Sequence, residues 1–199
     1  MPRSRLLLII GVAAPAIACA LVGLTHPMGL DADSALYWQN LHIALLFLFP
    51  LIGFAPWLIA SRVDRRLGWA AAVLGYGFAT LYTALDVLAG IAAGALVLGG
   101  EADATGPVYA IARILARVGV WSLVLGAVVA GVAAFRHARF AALPGAVLAV
   151  LGAYLVYPGH IYFPVGTVSM LLLAAGFGAL AVAVTRAPAT RPAEKLASA

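Results

Sequence analysis

Charge is what this chain has least of. Only 10% of its 199 residues are Asp, Glu, Lys or Arg, while 65% are hydrophobic and the mean hydropathy is +1.08. Soluble domains carry about a quarter charged residues and about half apolar ones, so a water-soluble fold is excluded and an integral membrane protein is expected. Cysteine is nearly as scarce. The single Cys19 excludes an internal disulfide and any CxxC redox or zinc motif. The chain also lacks a polar stretch long enough to house a soluble catalytic domain, so any chemistry must come from the helices and their short connections. The formal net charge of +5 does not point to nucleic acid. The basic residues stand in short clusters between apolar runs, as topology signals do.

What is there in abundance is apolar sequence. A membrane crossing needs about 20 mostly apolar residues, and the charges divide the chain into six candidate spans: 6–24, 36–60, 67–98, 108–135, 143–157 and 161–184. The expected fold is therefore all-α, a polytopic bundle of six transmembrane helices forming one domain over residues 1–185. The third span is long for a simple crossing and should tilt or project. The fifth is short, started by Pro144 and stopped by Pro158. Pro15, Pro50 and Pro56 fall inside spans, where membrane helices tolerate proline.

Orientation follows from the connections. Arg3, Arg5, Arg62, Arg65, Arg66, Arg136, Arg139, Arg186, Arg191 and Lys195 all fall on one side if every span crosses once. The opposite side has no Lys or Arg and carries Asp31, Asp33, Glu101 and Asp103. The positive-inside rule then makes both termini cytoplasmic and the protein a multi-pass resident of the cytoplasmic (inner) membrane. The segment RSRLLLIIGVAAPAIAC, ending at Cys19, resembles a signal peptide with a degenerate lipoprotein box. Ala16 replaces the usual larger aliphatic and the chain stays apolar through Leu24, so a retained first helix is expected. Residues 186–199, rich in Ala, Pro and Thr, read as a flexible cytoplasmic tail.

Function should lie in polar residues placed where a bilayer makes them expensive, since an ionised group near the centre costs roughly 2.5 to 3.5 kcal/mol on insertion scales. Asp86, Arg113 and Arg117 qualify. Asp86 lies about 12 residues, roughly 18 Å, below the outer end of the third span. Arg117 lies at a comparable depth on the fourth, so an Asp86–Arg117 ion pair is one expectation. Arg113 shares a helix face with Arg117, Tyr109 and Trp121, and one aspartate cannot neutralise two guanidinium groups. It is left for Glu101, Asp103 or an anion such as a lipid phosphate or a carboxylate. Tyr82 and Thr83 lie one turn before Asp86, and Gly90 one turn after it. Gly90 and Gly94 read as ordinary small-residue helix packing.

Three histidines fall at one level on the acidic side. His26 closes the first span, His42 lies about six residues into the second beside Ser34, Trp38 and Gln39, and His160 opens the sixth within YPGHIYFP. His137, in RHAR, reads as a topology charge. Histidines with an aspartate match the ligand types of zinc or copper, although no HxxxH or HExxH spacing places two on one face. In residue types the set Ser34, His26, His42, His160 and Asp86 is similar to the intramembrane zinc hydrolases of the ceramidase and progestin-receptor type. Those proteins have seven helices and a closely spaced histidine pair near the end, where this chain has His160 alone, so the similarity is not one of motif.

Three function classes follow. The first is a metal-dependent, hydrolase-like membrane enzyme in which His26, His42 and His160 hold a divalent metal and Asp86 or Ser34 handles protons. Arg113, Arg117, Tyr82 and Trp38 would bind its lipid or anionic substrate. The second is a small transporter or proton-coupled carrier using Asp86 and Arg117. The third is an accessory subunit whose partner is another membrane protein or a second copy of itself. A bis-histidine haem between His42 and His160 is a weaker alternative, because His160 lies near the surface.

Overall fold

The computed structural model describes residues 3–186. The tail expected beyond Arg186, with Arg191 and Lys195, lies outside the described residues. All regular structure among the described residues is helical. Five segments are long and apolar enough to cross a membrane: Arg3–Gly23, Ala35–Ala60, Arg65–Leu98, Ala102–Gly159 and Val165–Thr185. The fourth contains two of the expected spans, Thr105–Ala138 and Leu143–Gly159, joined by a 3-10 turn over Arg139–Ala142. Arg139 reverses the chain there with a positive φ of 54°. In chain order we call the helices α1 (Arg3–Gly23), α2 (Ala35–Ala60), α3 (Arg65–Leu98), α4 (Thr105–Ala138), α5 (Leu143–Gly159) and α6 (Val165–Thr185).

Local chemistry sets several of the helix ends. Asp64 caps α3, accepting hydrogen bonds from the N–H groups of Arg66 and Leu67 at 2.8 and 2.9 Å. Those bonds, that of Leu67 foremost, hold its carboxyl below the usual range, helped by the nearby charges of Arg136 and Arg66. Ser34 precedes α2 in a tight turn, where its hydroxyl donates to Asp31 Oδ1 at 2.8 Å and accepts from the Asp31 N–H at 3.0 Å. Pro158 does not stop α5, which runs through it to Gly159; membrane helices tolerate proline because neighbouring groups satisfy the freed backbone. The helix ends instead at His160, whose φ of 44° breaks the spiral after its N–H bonds the Val156 carbonyl at 2.8 Å.

Without a hydrophobic drive between helices in lipid, close packing depends on small residues. A side chain at Gly53 or Gly75 would run into the other's backbone, so α2 and α3 touch main chain to main chain. Across α5 and α6, Ser169 donates to the Gly152 carbonyl at 2.8 Å, a polar tie inside an apolar contact. The core between helices is filled by Phe49, Phe78, Leu45, Leu123, Met170 and Phe177, all fully buried.

Helix lengths make the two ends of the bundle unequal. α1 and α6 have 21 residues each, about 31 Å at 1.5 Å per residue, which matches a hydrocarbon core of about 30 Å. α3 and α4 have 34 each, about 51 Å. The turns that follow α1 and α5 meet α2 and α3 partway along their length: the His26 ring stands 5.1 Å from that of His42, and His160 Nδ1 meets the Tyr82 hydroxyl at 2.7 Å. His26 and His160 lie in those turns.

The regularity of α3 breaks at the same level. Residues Asp86–Ala92 form a π-helical stretch between two α-helical ones. Such bulges are rare and occur preferentially at functional sites, because they re-aim side chains and free backbone carbonyls. Here one carbonyl, of Ala89, accepts from the indole N–H of Trp38 at 3.0 Å.

Candidate metal centre

His26, His42 and His160 come together from three separate parts of the chain. Each offers a ring nitrogen, and the three nitrogens lie within 4.8 Å of one another. His26 and His42 are 5% and 2% exposed. The His26 ring stands edge-on to His42 and His160, at centroid distances of 5.1 and 6.0 Å, while the His42 and His160 rings are parallel to within 6°.

Hydrogen bonds from the far side of each ring fix its tautomer. His26 Nδ1 meets the Pro27 carbonyl at 2.8 Å, and His42 Nδ1 meets the Trp38 carbonyl at 2.7 Å. A carbonyl only accepts. Both rings therefore carry hydrogen on Nδ1 and a bare lone pair on Nε2. The Tyr82 hydroxyl meets His160 Nδ1 at 2.7 Å; when it accepts, His160 takes the same form. An outward Nδ1–H tied to oxygen and an inward Nε2 is how metal-ligating histidines are held.

Two polar groups at this level are orphaned. His26 Nε2 is buried without a hydrogen-bond partner, as are both carboxylate oxygens of Asp86. Asp86 is fully buried, and its Oδ1 lies 4.0 Å from Nε2 of His160. A buried carboxylate with no donor is costly and calls for a cation or a proton. Asp86 stands outside the group of three mutually close ligand nitrogens, beside it rather than in it. Burial also lowers the proton affinity of His26, in the turn after α1, against a smaller opposing effect of the Pro27 hydrogen bond. That ring stays neutral, as a ligand must be.

The donor set fits an ion. Tetrahedral zinc–nitrogen bonds of about 2.0 to 2.1 Å place two ligand atoms roughly 3.3 to 3.4 Å apart, so a 4.8 Å span closes by about 0.7 Å per ring. Three nitrogens leave a fourth position open, the arrangement of catalytic rather than structural zinc.

Packing beneath the rings is aromatic. Tyr82, 1% exposed, stacks on Phe78 at 5.0 Å and meets Phe49 edge-on at 4.8 Å. Trp38, 3% exposed, lies 4.8 Å from the His26 ring and 5.1 Å from the His42 ring. Gly90, in the π-helical stretch, forms the seat of His42, since a β-carbon there would overlap Cβ, Cγ and Cδ2 of His42. The packing reading of Gly94 stands, because it lies against Gln39 and Ala35; Gly90 belongs to the site.

A cavity of about 380 Å³ adjoins the histidines. It is lined by His42, His160, Trp38 and Tyr82 together with Arg113, Tyr109 and Tyr157, and Leu85, Val120 and Val156 add apolar surface. The structure thus brings together His26, His42, His160, Asp86, Tyr82 and Trp38, and Arg113 lines the cavity that adjoins them. It leaves two expected residues apart. Ser34 stays in the loop turn with Asp31 and does not line the cavity. Arg117 is exposed, its guanidinium carbon 6.0 Å over the Tyr157 ring.

The expected Asp86–Arg117 ion pair does not form: Asp86 faces the histidines, and it is Gly119, not Arg117, that abuts Tyr82. His160 does not open α6 but lies in the turn after α5. Sequence reasoning missed Gly90 as the seat of His42, and Tyr162, whose ring is 4.5 Å from His26. Nothing in the local spacing marks either. No protein-family model, curated protein or solved structure matches this chain.

Proposed function

We propose that this is a multi-pass protein of the cell membrane with six crossings and cytoplasmic termini, and that its three-histidine centre binds one divalent ion, zinc or copper, to hydrolyse a lipid or anionic substrate. The arginine clusters at the ends of α1, α2, α3, α4 and α6, against Asp31, Asp33, Glu101 and Asp103 at the other side, support the orientation. One observation carries the rest: three histidine nitrogens within 4.8 Å, two of them held as bare Nε2 by backbone carbonyls, beside a buried carboxylate that no donor satisfies.

When bound, such an ion acts as a Lewis acid and makes a water in its open position acidic near neutral pH. The chain's own residues have distinct parts. Asp86, buried and within 4.0 Å of a ligand nitrogen, takes a proton from the attacking water as its oxygen adds to the scissile carbonyl. It returns that proton to the leaving group as the ester or amide bond breaks. Arg113, in the cavity lining, holds the substrate's anionic group, and Leu85, Val120 and Val156 accommodate an apolar tail.

The test is turnover by zinc- or copper-loaded protein in liposomes, against fluorogenic acyl esters and amides carrying a phosphate or carboxylate. Asp86→Asn should retain the ion and lose about 10²-fold or more in rate. An equal rate in loaded Asp86→Asn, or no turnover across the panel with either ion, refutes the hydrolytic reading.

A further inference from the structure

A second cavity lies farther along α4 and α5, toward Arg136 and away from the histidines. It is an open groove of about 1030 Å³ between α4 and α5, and its walls are almost wholly apolar, with Val128, Val132, Val147 and Leu151 among them. Arg136 and Arg139 close its arginine-side end, and Trp121 and Tyr154, 6.3 Å apart, close the other. From Trp121 to Arg136 is 15 residues of continuous helix, about 22 Å. One leaflet of hydrocarbon is about 15 Å deep, half of a 30 Å core, so acyl chains entering beside the arginines lie along the groove without leaving it.

Charge at that end is strongly one-sided. Arg62, Arg65, Arg66, Arg136, Arg139 and Arg186 gather around one carboxylate, Asp64, already engaged as the cap of α3. Both groove arginines are exposed, and neither forms an ion pair among the described residues. Arg139 is also held at a positive φ by the turn that starts α5, which fixes the residue at the mouth of the groove. Guanidinium groups bind phosphate oxygens in a planar, two-toothed fashion, and basic pockets between helices on the cytoplasmic side are where anionic lipid headgroups dock.

We infer that the α4–α5 groove is a binding site for an anionic phospholipid, with the phosphate diester on Arg136 and Arg139 and the acyl chains along the apolar wall toward Trp121. The site is independent of the metal centre. It serves as a fixed lipid contact for α5, the shortest helix of the bundle.

Native mass spectrometry of the full chain in mild detergent tests this, with phosphatidylglycerol and phosphatidylcholine of identical acyl chains as probes. One phosphatidylglycerol should bind in clear preference to phosphatidylcholine. Arginine contacts of this kind are worth about fivefold each, so Arg136→Gln or Arg139→Gln should weaken binding about fivefold and the pair about 25-fold. Arg136→Lys with Arg139→Lys should retain the preference. Val147→Trp, which fills the groove without changing charge, should weaken both lipids alike, and unchanged metal uptake by each variant reports an intact bundle. Equal affinity for the two lipids overturns the inference, as does unaltered binding by the double glutamine variant. A dimer that Val147→Trp dissociates would put a second copy in the groove and overturn it as well.

Discussion

Adding one methyl group at Gly90 tests the geometry of the centre without touching a ligand. The β-carbon of Gly90→Ala would overlap three atoms of the buried His42 side chain, and because Cβ is one of them, α2 must shift away from α3 as the ring turns. That movement disturbs the 2.7 Å bond from Nδ1 to the Trp38 carbonyl, which holds the ring in its ligating tautomer. Loss of such an outer hydrogen bond lowers metal affinity by 10- to 100-fold, or about 1.4 to 2.7 kcal/mol. Stability should move less. Overpacking costs about 1 to 3 kcal/mol, while replacing glycine by alanine inside a helix returns up to about 1 kcal/mol. The net change in the metal-free protein is then about 0 to 3 kcal/mol. The assay is a competition titration with a chromophoric zinc chelator in detergent at pH 7.5, paired with thermal unfolding. Gly11→Ala, in α1, meets nothing within 4 Å and serves as the control that should leave affinity unchanged. Gly90→Ala binding zinc within twofold of the parent would refute the placement of His42 against α3.

Other perturbations separate ligands from supports. His26→Ala, His42→Ala and His160→Ala should each abolish stoichiometric metal, read by elemental analysis after gel filtration. Tyr82→Phe removes only the hydroxyl at His160 Nδ1, so it should keep one ion per chain and weaken it about 10-fold or more. Acidification should release the ion, because protons compete for the same lone pairs. The sign for the metal-free protein follows from His26. Its folded-state proton affinity is lowered by burial, so the unfolded chain takes up a proton near pH 6.5 that the folded one refuses. The contribution of His26 to stability is therefore complete above that pH and is lost as pH falls, which thermal unfolding between pH 7.5 and 5 should show. A rise in stability on acidification would contradict a buried, neutral His26.

Much of the bundle was legible from composition, because twenty-residue apolar runs separated by arginines have few alternatives in a chain this poor in charge. The limits of spans were less legible where the ends depend on single residues. Pro158 looked like a stop, yet the backbone conformation of His160 ends α5, and Arg139 forms a turn that composition alone does not reveal. The site was half legible. Expensive polar residues at one level drew His26, His42, His160 and Asp86 together by depth alone, since depth can be counted along a helix. Rotation about the helix axis cannot be counted as securely. Asp86 accordingly has the expected depth but faces the histidines rather than Arg117. Ser34 went wrong for a different reason: a serine three residues after an aspartate forms a local turn more cheaply than it joins a distant pocket.

The central claim is that three histidine nitrogens form a metal site, and X-ray absorption on the purified protein after loading with zinc tests it most directly. The account predicts one ion per chain with three imidazole nitrogens at about 2.0 to 2.1 Å, and no stoichiometric ion in His42→Ala. A loaded parent protein with no stoichiometric ion, or an ion whose shell is unchanged in His42→Ala, would contradict it.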